Sequence, residues 1–259
     1  MMDILTDIVT QTRRDLVIKK RQTPLKLLVA QAHTQPPVLD LAASLRGESV
    51  KLIAEVKQAS PSKGIIRQHF NPVEIADIYA ENGAAAISVL TEPHYFKGSL
   101  KYLSAIRQLF GARLPLLRKD FIVDSYQVYE ARAYGADSIL LIAAILIESK
   151  LSQLLSLSRE LGMEPLVEVH NETETKIVLN AGARIIGINN RNLKDFTTDI
   201  QVTERLRPLL PPGVIVVSES GIRTRQDIYR LQKCGINAVL IGEALMGAGD
   251  IGMRIRELI

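Results

Sequence analysis

The side chains that could do chemistry stand where apolar runs end. Glu55 and Lys57 close the run KLIAEVK, Lys119 closes LPLLRK, and Glu168 lies within PLVEV. Asn189, Asn190 and Arg191 follow RIIGI, Glu219 and Ser220 end VIVVSES, and Gly242 and Glu243 follow NAVLI. Residues two apart in a strand share a face, which can turn both Glu55 and Lys57 inward. Lysines and carboxylates converging on an apolar pit are costly unless they pair or react. A structural ion-pair network is the alternative for any one of them, and a weaker account of the whole set. No Ser/His/Asp or Cys/His arrangement accompanies them, which disfavours nucleophilic acyl chemistry and favours acid–base chemistry by Lys and Glu. A lysine becomes a better acid when burial or a second cation lowers its pKa, and Lys57 is the cation expected beside Lys119. The glycine-containing ends Ser220-Gly221 and Gly242 suit an anion held on backbone N–H groups, with plain turn glycines as the alternative.

A repeating pattern supplies the elements that must position these residues. A helical stretch stops at glycine, one or two small residues follow, and an apolar strand begins. This occurs at Gly83 (NGAAAISVL), Gly135 (YGADSILLI), Gly182 (AGARIIGI) and Gly235 (CGINAVLI). Glycine there is the left-handed stop of a helix. The intervals are 52, 47 and 53 residues, each about two strand–helix units. Four more strands complete the set, Lys51–Lys57 before the first marker and Leu114–Lys119, Pro165–Val169 and Val214–Ser220 between the markers. Continuous Val/Ile/Leu runs fit parallel strands buried on both faces. Helical spacing follows an Asn71-Pro72 start through Val73–Asn82, and Asp124–Tyr134 and Asn171–Asn180 open on N-cap residues. Eight strands alternating with helices predict a closed (β/α)8 barrel, whose chemistry sits at the C-terminal strand ends and whose phosphate site commonly follows strands 7 and 8. A doubly wound open sheet would need a G-x-G-x-x-G turn, which KQASPSKG does not supply. Residues 1–49 precede the first strand as a helical extension, with Ile4, Leu5, Ile8 and Val9 at helical spacing and a second helix across Pro24–Ala32. This pattern fits a cap on the barrel floor or a cover on its mouth.

The bulk properties agree with one domain over residues 1–259. Hydrophobic residues make up 47% of the 259 and charged residues 23%, enough for a full core. The net charge of +4 is mild and dispersed, unlike the basic stripe of a nucleic-acid binder, and fits an anionic small molecule. Cys234 is the lone cysteine, which precludes an intrachain disulfide, and His33, His69, His94 and His170 lack metal-ligand spacing, so no metal is expected. The N-terminus lacks a signal-peptide pattern, and the longest apolar run, Ile139–Ile147, is too short to span a bilayer. A cytoplasmic, monomeric protein with no membrane or nucleic-acid partner is the expectation.

The strand-end stretches resemble the indole-3-glycerol phosphate synthase family. IAEVKQASPSKG (Ile53–Gly64) is similar to its first-strand signature. SVLTEPHYFKGS (Ser88–Ser99), LLRKDFIVDSYQ (Leu116–Gln127), PLVEVH (Pro165–His170), GINNRNL (Gly187–Leu193) and SESGI (Ser218–Ile222) follow in the family's order. The resemblance covers essentially the whole chain. It implies conversion of 1-(2-carboxyphenylamino)-1-deoxyribulose 5-phosphate to indole-3-glycerol phosphate with release of CO2 and water, without metal or organic cofactor. It further implies that Lys119 is the general acid and Glu168 its partner in the later dehydration. Glu55 and Lys57 match a catalytic pair, with Lys57 holding the substrate carboxylate. Asn189, Arg191 and Glu219 match residues that shape the site. Ser60, Ser62, Phe96 and Phe121 match the substrate pocket, and Ser220, Gly221, Gly242 and Glu243 the phosphate cradle. A carboxylate at Glu243 would repel phosphate, so backbone contact alone is expected there. The alternatives are another phosphosugar barrel, such as phosphoribosylanthranilate isomerase or a histidine-pathway isomerase, and a non-catalytic barrel scaffold. The isomerases favour Cys/Asp or Asp/Asp pairs, and a scaffold would show a degraded set of strand-end residues.

Overall fold

The computed structural model describes residues 4–192 and 195–259, which leaves Met1–Asp3, Leu193 (the last residue of GINNRNL) and Lys194 outside the described residues. Eight parallel strands close into a barrel: β1 (Lys51–Val56), β2 (Ala86–Leu90), β3 (Leu116–Lys119), β4 (Ser138–Ile142), β5 (Leu166–Val169), β6 (Ile185–Asn189), β7 (Ile215–Glu219) and β8 (Ala238–Ile241). Each pairs with the next in sequence, and β8 pairs with β1. Every expected strand is present. The helices are α1 (Ile4–Gln22), α2 (Leu25–Thr34), α3 (Leu41–Ser44), α4 (Pro72–Glu81), α5 (Leu100–Phe110), α6 (Ser125–Ala133), α7 (Glu148–Glu160), α8 (Glu172–Asn180), α9 (Gln201–Leu206), α10 (Arg225–Lys233), α11 (Glu243–Met246) and α12 (Ile251–Leu258).

Local chemistry sets these boundaries. Asn71 caps α4 by accepting from the backbone N–H groups of Val73 and Glu74, with Pro72 in the first turn where its missing N–H costs nothing. Asp124 and Gln127 form a reciprocal capping box on α6. All four marker glycines have positive φ, as the pattern requires.

Strand alternation sorts the side chains into two cores. Leu52, Ala54 and Val56 of β1 face outward into the layer shared with the helices. Ile53 faces inward with Ala86, Leu117, Leu140, Leu166, Ile185, Ile215 and Ala238. The inward positions are therefore apolar low in the barrel. Two residues further along the same faces stand Glu55, Lys119, Glu168, Gly187 and Val217, and one more step on β6 and β7 reaches Asn189 and Glu219. The polar residues are thus stacked above an apolar plug.

The first 49 residues serve both ends of the barrel. Leu41 and Leu45 of the α3 region, each 1% exposed, pack into the inner core. Asp137, just before β4, accepts from the Leu39 N–H, which places this segment at the floor. Burying each leucine contributes roughly 1.5–3 kcal/mol. α1 instead reaches the mouth, where Ile4, Leu5 and Ile8 line the cavity described below. Leu16 and Leu28 pack on Tyr126 of α6, whose hydroxyl donates to the Lys19 and Thr23 carbonyls.

Candidate active site

A cavity of about 390 Å³ opens at the C-terminal strand ends. All of the residues singled out at the strand ends line it except Asn190, which is buried behind the wall and bonds Ser218 and Thr203. Glu55, Lys57, Lys119, Glu168, Asn189 and Glu219 form its floor and wall. Ser60, Ser62, Phe96, Phe121 and Arg191 stand around them, and Ser220, Gly221, Gly242 and Glu243 occupy the side formed by β7 and β8.

Two lysine–carboxylate groupings organise the floor. Lys119 Nζ lies 3.3 Å from Glu168 Oε2 and 3.5 Å from Glu219 Oε2. Lys57 Nζ lies 2.5 Å from Glu55 Oε1. Lys57 sits just beyond the end of β1 and folds back on Glu55, two residues away. Burial would depress Lys119, but Glu168, Glu219 and Glu55 outweigh it and raise its pKa above the ordinary lysine value. The expectation that Lys57 makes Lys119 more acidic is therefore corrected. Lys57 is bound to its own carboxylate, and the groups that dominate around Lys119 are anions.

The carboxylates are pushed apart. Burial alone would raise all three. Lys119, with His170 and Asn189, holds Glu168 well below the usual range, so it is ionised at neutral pH. Lys57, with help from Lys119, lowers Glu55. Glu219 gains less from Lys119 than burial and its anionic neighbours Glu168 and Glu55 cost it, and it rises to about 8. The two neighbouring carboxylates are thus shifted in opposite directions by their surroundings. Glu219 Oε1 is buried with no hydrogen-bond partner. The backbone makes room for these groups: a Cβ on Gly187 would collide with the Glu219 carboxylate, and one on Gly242 with that of Glu55.

The rim is fixed by the loops. After β2, the Glu92 carboxylate accepts from the backbone N–H groups of His94, Tyr95 and Phe96. That turn sets Phe96 6.1 Å from the Phe121 ring. After β1, Ala59–Ser60 pairs with Gly64–Ile65 and carries Ser60 and Ser62. After β7, Ser220 and Gly221 both have positive φ, and the Asn190 amide donates to the Ser220 carbonyl. Glu243 does not stand bare beside this turn. Its carboxylate pairs with Arg191 at 3.1 Å and lies 3.8 Å from Lys63, so its charge is offset.

The comparisons with known proteins agree with each other. The family model described as indole-3-glycerol phosphate synthase matches residues 5–258. A relative of that name from Dehalococcoides mccartyi (strain CBDB1) is 58% identical over 99% of this chain and 100% of its own length. Another from Roseiflexus sp. (strain RS-1) is 50% identical over 100% and 98%. The chain belongs to the indole-3-glycerol phosphate synthase family. Among solved structures, 3-hexulose-6-phosphate synthase from Salmonella typhimurium superposes with a TM-score of 0.66 at 14% identity, covering 81% of this chain and 96% of that one. At that identity the likeness concerns the barrel alone.

For a member of the indole-3-glycerol phosphate synthase family, the strand-end reading left out part of the wall. Ile4, Leu5 and Ile8 of α1, with Phe196, Thr198, Arg223 and Arg254, also line the cavity. The apolar spacing of α1 was visible, but not the surface it covers. His170 was also passed over. It lies behind Glu168, and its neighbour Glu174 four residues on was the available signal. Among the described residues no group of three or more His, Cys, Asp or Glu side chains is placed to hold a metal ion, and no helix is long and apolar enough to cross a membrane.

Proposed function

We propose that this chain converts 1-(2-carboxyphenylamino)-1-deoxyribulose 5-phosphate to indole-3-glycerol phosphate, and that its buried lysines and glutamates carry the proton transfers. Family membership names the reaction class. The observation that supports the assignment of roles is Lys119 held 3.3 Å from Glu168 and 3.5 Å from Glu219 at the cavity floor, with the two carboxylates shifted in opposite directions.

The ring carbon bearing the carboxylate attacks the ketone carbon, and the ketone oxygen takes the Lys119 proton. The carboxylate then leaves as CO2, its bonding pair returning to the ring. The hydroxyl so formed departs as water after accepting a second proton, while a base removes the proton from the adjacent carbon. Glu168 is the base in this reading. Lys57 holds the substrate carboxylate and steers it, at the cost of loosening its pairing with Glu55. Phe96, Phe121, Ile8 and Leu5 give the aromatic ring apolar surroundings, and Asn189 and Arg191 orient the chain of the sugar. The phosphate lies against the backbone of Ser220, Gly221 and Gly242, where added side chains would intrude. Arg191 and Lys63 offset the Glu243 charge beside it, which leaves the backbone contact open.

On the same reading residues 1–259 are one domain, because Leu41 and Leu45 complete the inner core while α1 completes the cavity. The chain is expected to act as a monomer in the cytoplasm. The deciding experiment incubates the purified protein with the carboxyphenylamino substrate and follows indole fluorescence. No fluorescence from a folded protein would refute the assignment.

A further inference from the structure

His170 stands outside the cavity wall, yet it touches the carboxylate that the mechanism uses. Its ring is held from behind. Glu174 Oε2 accepts from the His170 backbone N–H at 2.7 Å and lies 3.1 Å from Nδ1. Glu174 is itself fixed: Oε1 accepts from the Asn171 amide at 2.6 Å, and the Glu174 N–H donates to Asn171 Oδ1 at 2.9 Å. With Nδ1 committed to Glu174, the ring plane is set and Nε2 points at Glu168, 3.4 Å from Oε1. Nε2 is shielded from solvent, and at that distance it does not complete a hydrogen bond. Glu168 is thus approached on one oxygen by His170 and on the other by Lys119, and Asn189 also favours its charged form.

We propose that His170, braced by Glu174, is a positioning residue that fixes the Glu168 carboxylate for its proton transfer. The inference rests on the reading of Glu168 as the base. The logic is that of any base oriented by a third group: the outer carboxylate fixes the ring, and the ring fixes the reacting group. The charge state agrees. Burial opposes a charged ring, but Glu168 and Glu174 outweigh it and raise His170 to about 10, so both nitrogens carry protons at neutral pH. Lys119 must give up a proton during turnover, and at that moment its hold on Glu168 weakens. His170 keeps its own charge through that step, and so keeps Glu168 ionised and in place.

Two amide substitutions separate this role from simple capping of α8. His170→Asn puts a donor near the place of Nδ1, keeping the bond to Glu174 but not the reach to Glu168. His170→Gln puts one near the place of Nε2, with the opposite result. Each is measured alone and combined with Glu168→Gln, with kcat read well below the melting transition of the variant. The expected result is a loss in kcat of about 10–100-fold for His170→Asn, with KM within about twofold, and most of the activity restored in His170→Gln. Added to Glu168→Gln, His170→Asn should cost nothing further, because the group it positions is already gone. An active His170→Asn enzyme beside an impaired Glu168→Gln enzyme would overturn the inference while leaving the role of Glu168 intact. So would equal losses from His170→Asn in both backgrounds. A Glu168→Gln enzyme with normal kcat would remove the base itself, and the inference with it.

Discussion

Replacing Lys119 with methionine keeps the length and apolar bulk of the side chain and removes its proton and charge. Both losses can be measured, and they have different sizes. In the proposed reaction the ketone oxygen gains charge as the ring closes, and a positioned acid typically contributes about 10²–10⁴-fold, so kcat should fall by at least that order while substrate still binds. The stability change follows from the ion pairs. Lys119 lies 3.3 Å from Glu168 and 3.5 Å from Glu219, whose side chains are 3% and 2% exposed. Breaking a buried pair by removing one partner costs about 3–5 kcal/mol, because a charge is left uncompensated. The sign of its pH dependence is fixed by Glu168. In the intact protein its folded pKa lies below the unfolded 4.5, so its contribution is present above that value and lost as pH falls through the folded pKa. Without Lys119 only His170 and Asn189 oppose burial, so the folded pKa of Glu168 rises and the stability it contributes at higher pH shrinks. The difference in melting temperature between the two proteins should therefore be smaller at pH 5 than at pH 8. Thermal melts at both pH values and single-turnover fluorescence test the two halves separately. Near-normal kcat in Lys119→Met would refute the assignment of the acid and turn attention to Lys57. A pH-independent difference in melting would refute the account of the buried carboxylates.

Three further outcomes follow from the same geometry. Glu219 has a folded pKa of about 8 against 4.5 unfolded, so its contribution is fully present below pH 4.5 and lost as pH rises through 8; Glu219→Gln should slow turnover yet be more stable at pH 8 by on the order of a few kcal/mol, with little gain at pH 4.5, and a gain in melting temperature that does not shrink as pH falls would contradict this. Gly221 has φ +76°, and a Cβ there would meet Thr198 Cβ at 3.1 Å, so Gly221→Asp adds strain and a charge where phosphate backbone contact is proposed; KM should rise at least tenfold, and an unchanged KM would rule out the site. Deleting residues 1–23 removes the part of the cavity wall that α1 supplies but keeps Leu41 and Leu45, so kcat/KM should fall by about tenfold or more while the barrel's circular dichroism persists, whereas normal turnover would make α1 dispensable; a deletion to residue 45 strips the inner core as well and should cost about 2–5 kcal/mol per buried leucine.

The strands and their chemically useful ends were legible because the two signals coincide. A parallel strand buried on both faces reads as a continuous apolar run, so a Lys or Glu at its end is conspicuous. What alternation alone did not settle is which parity faces in. Leu116-Leu117-Arg118-Lys119 offers two cations in succession on a strand that is apolar on both sides. The structure puts Lys119 inside and Arg118 outside, fully buried against Asp120 and Glu130. The extension was legible as helices but not as a division of labour, since an amphipathic face does not state what covers it. The charge state of Lys119 was misjudged for a related reason. Lys57 is near in kind and in sequence position on its strand, but its distance to Glu55 decides whom it serves, and only coordinates give distances.

The pairing of Lys119 with anions raises a difficulty that the mechanism must meet. A lysine whose pKa has been pushed up is a weak acid, and carboxylates around it make proton donation harder. The difficulty lessens once the proton's destination is considered. A ketone oxygen closing on a ring carbon becomes an alkoxide, a far stronger base than any group already in the cavity, so the transfer does not require an unusually acidic lysine. The high pKa then serves the other half of the cycle. Loss of CO2 from an ionised carboxylate consumes one proton for each turnover, so Lys119 must be recharged from solvent. A neutral amine beside ionised Glu168 is poised to take that proton back, and Glu219, protonated and 3.5 Å away, is a group that can pass it on. Glu219 would then titrate with the recharging step and not with ring closure. A Glu219→Gln enzyme should show a near-normal first turnover and a depressed steady-state rate, and equal losses in both would place Glu219 in ring closure instead.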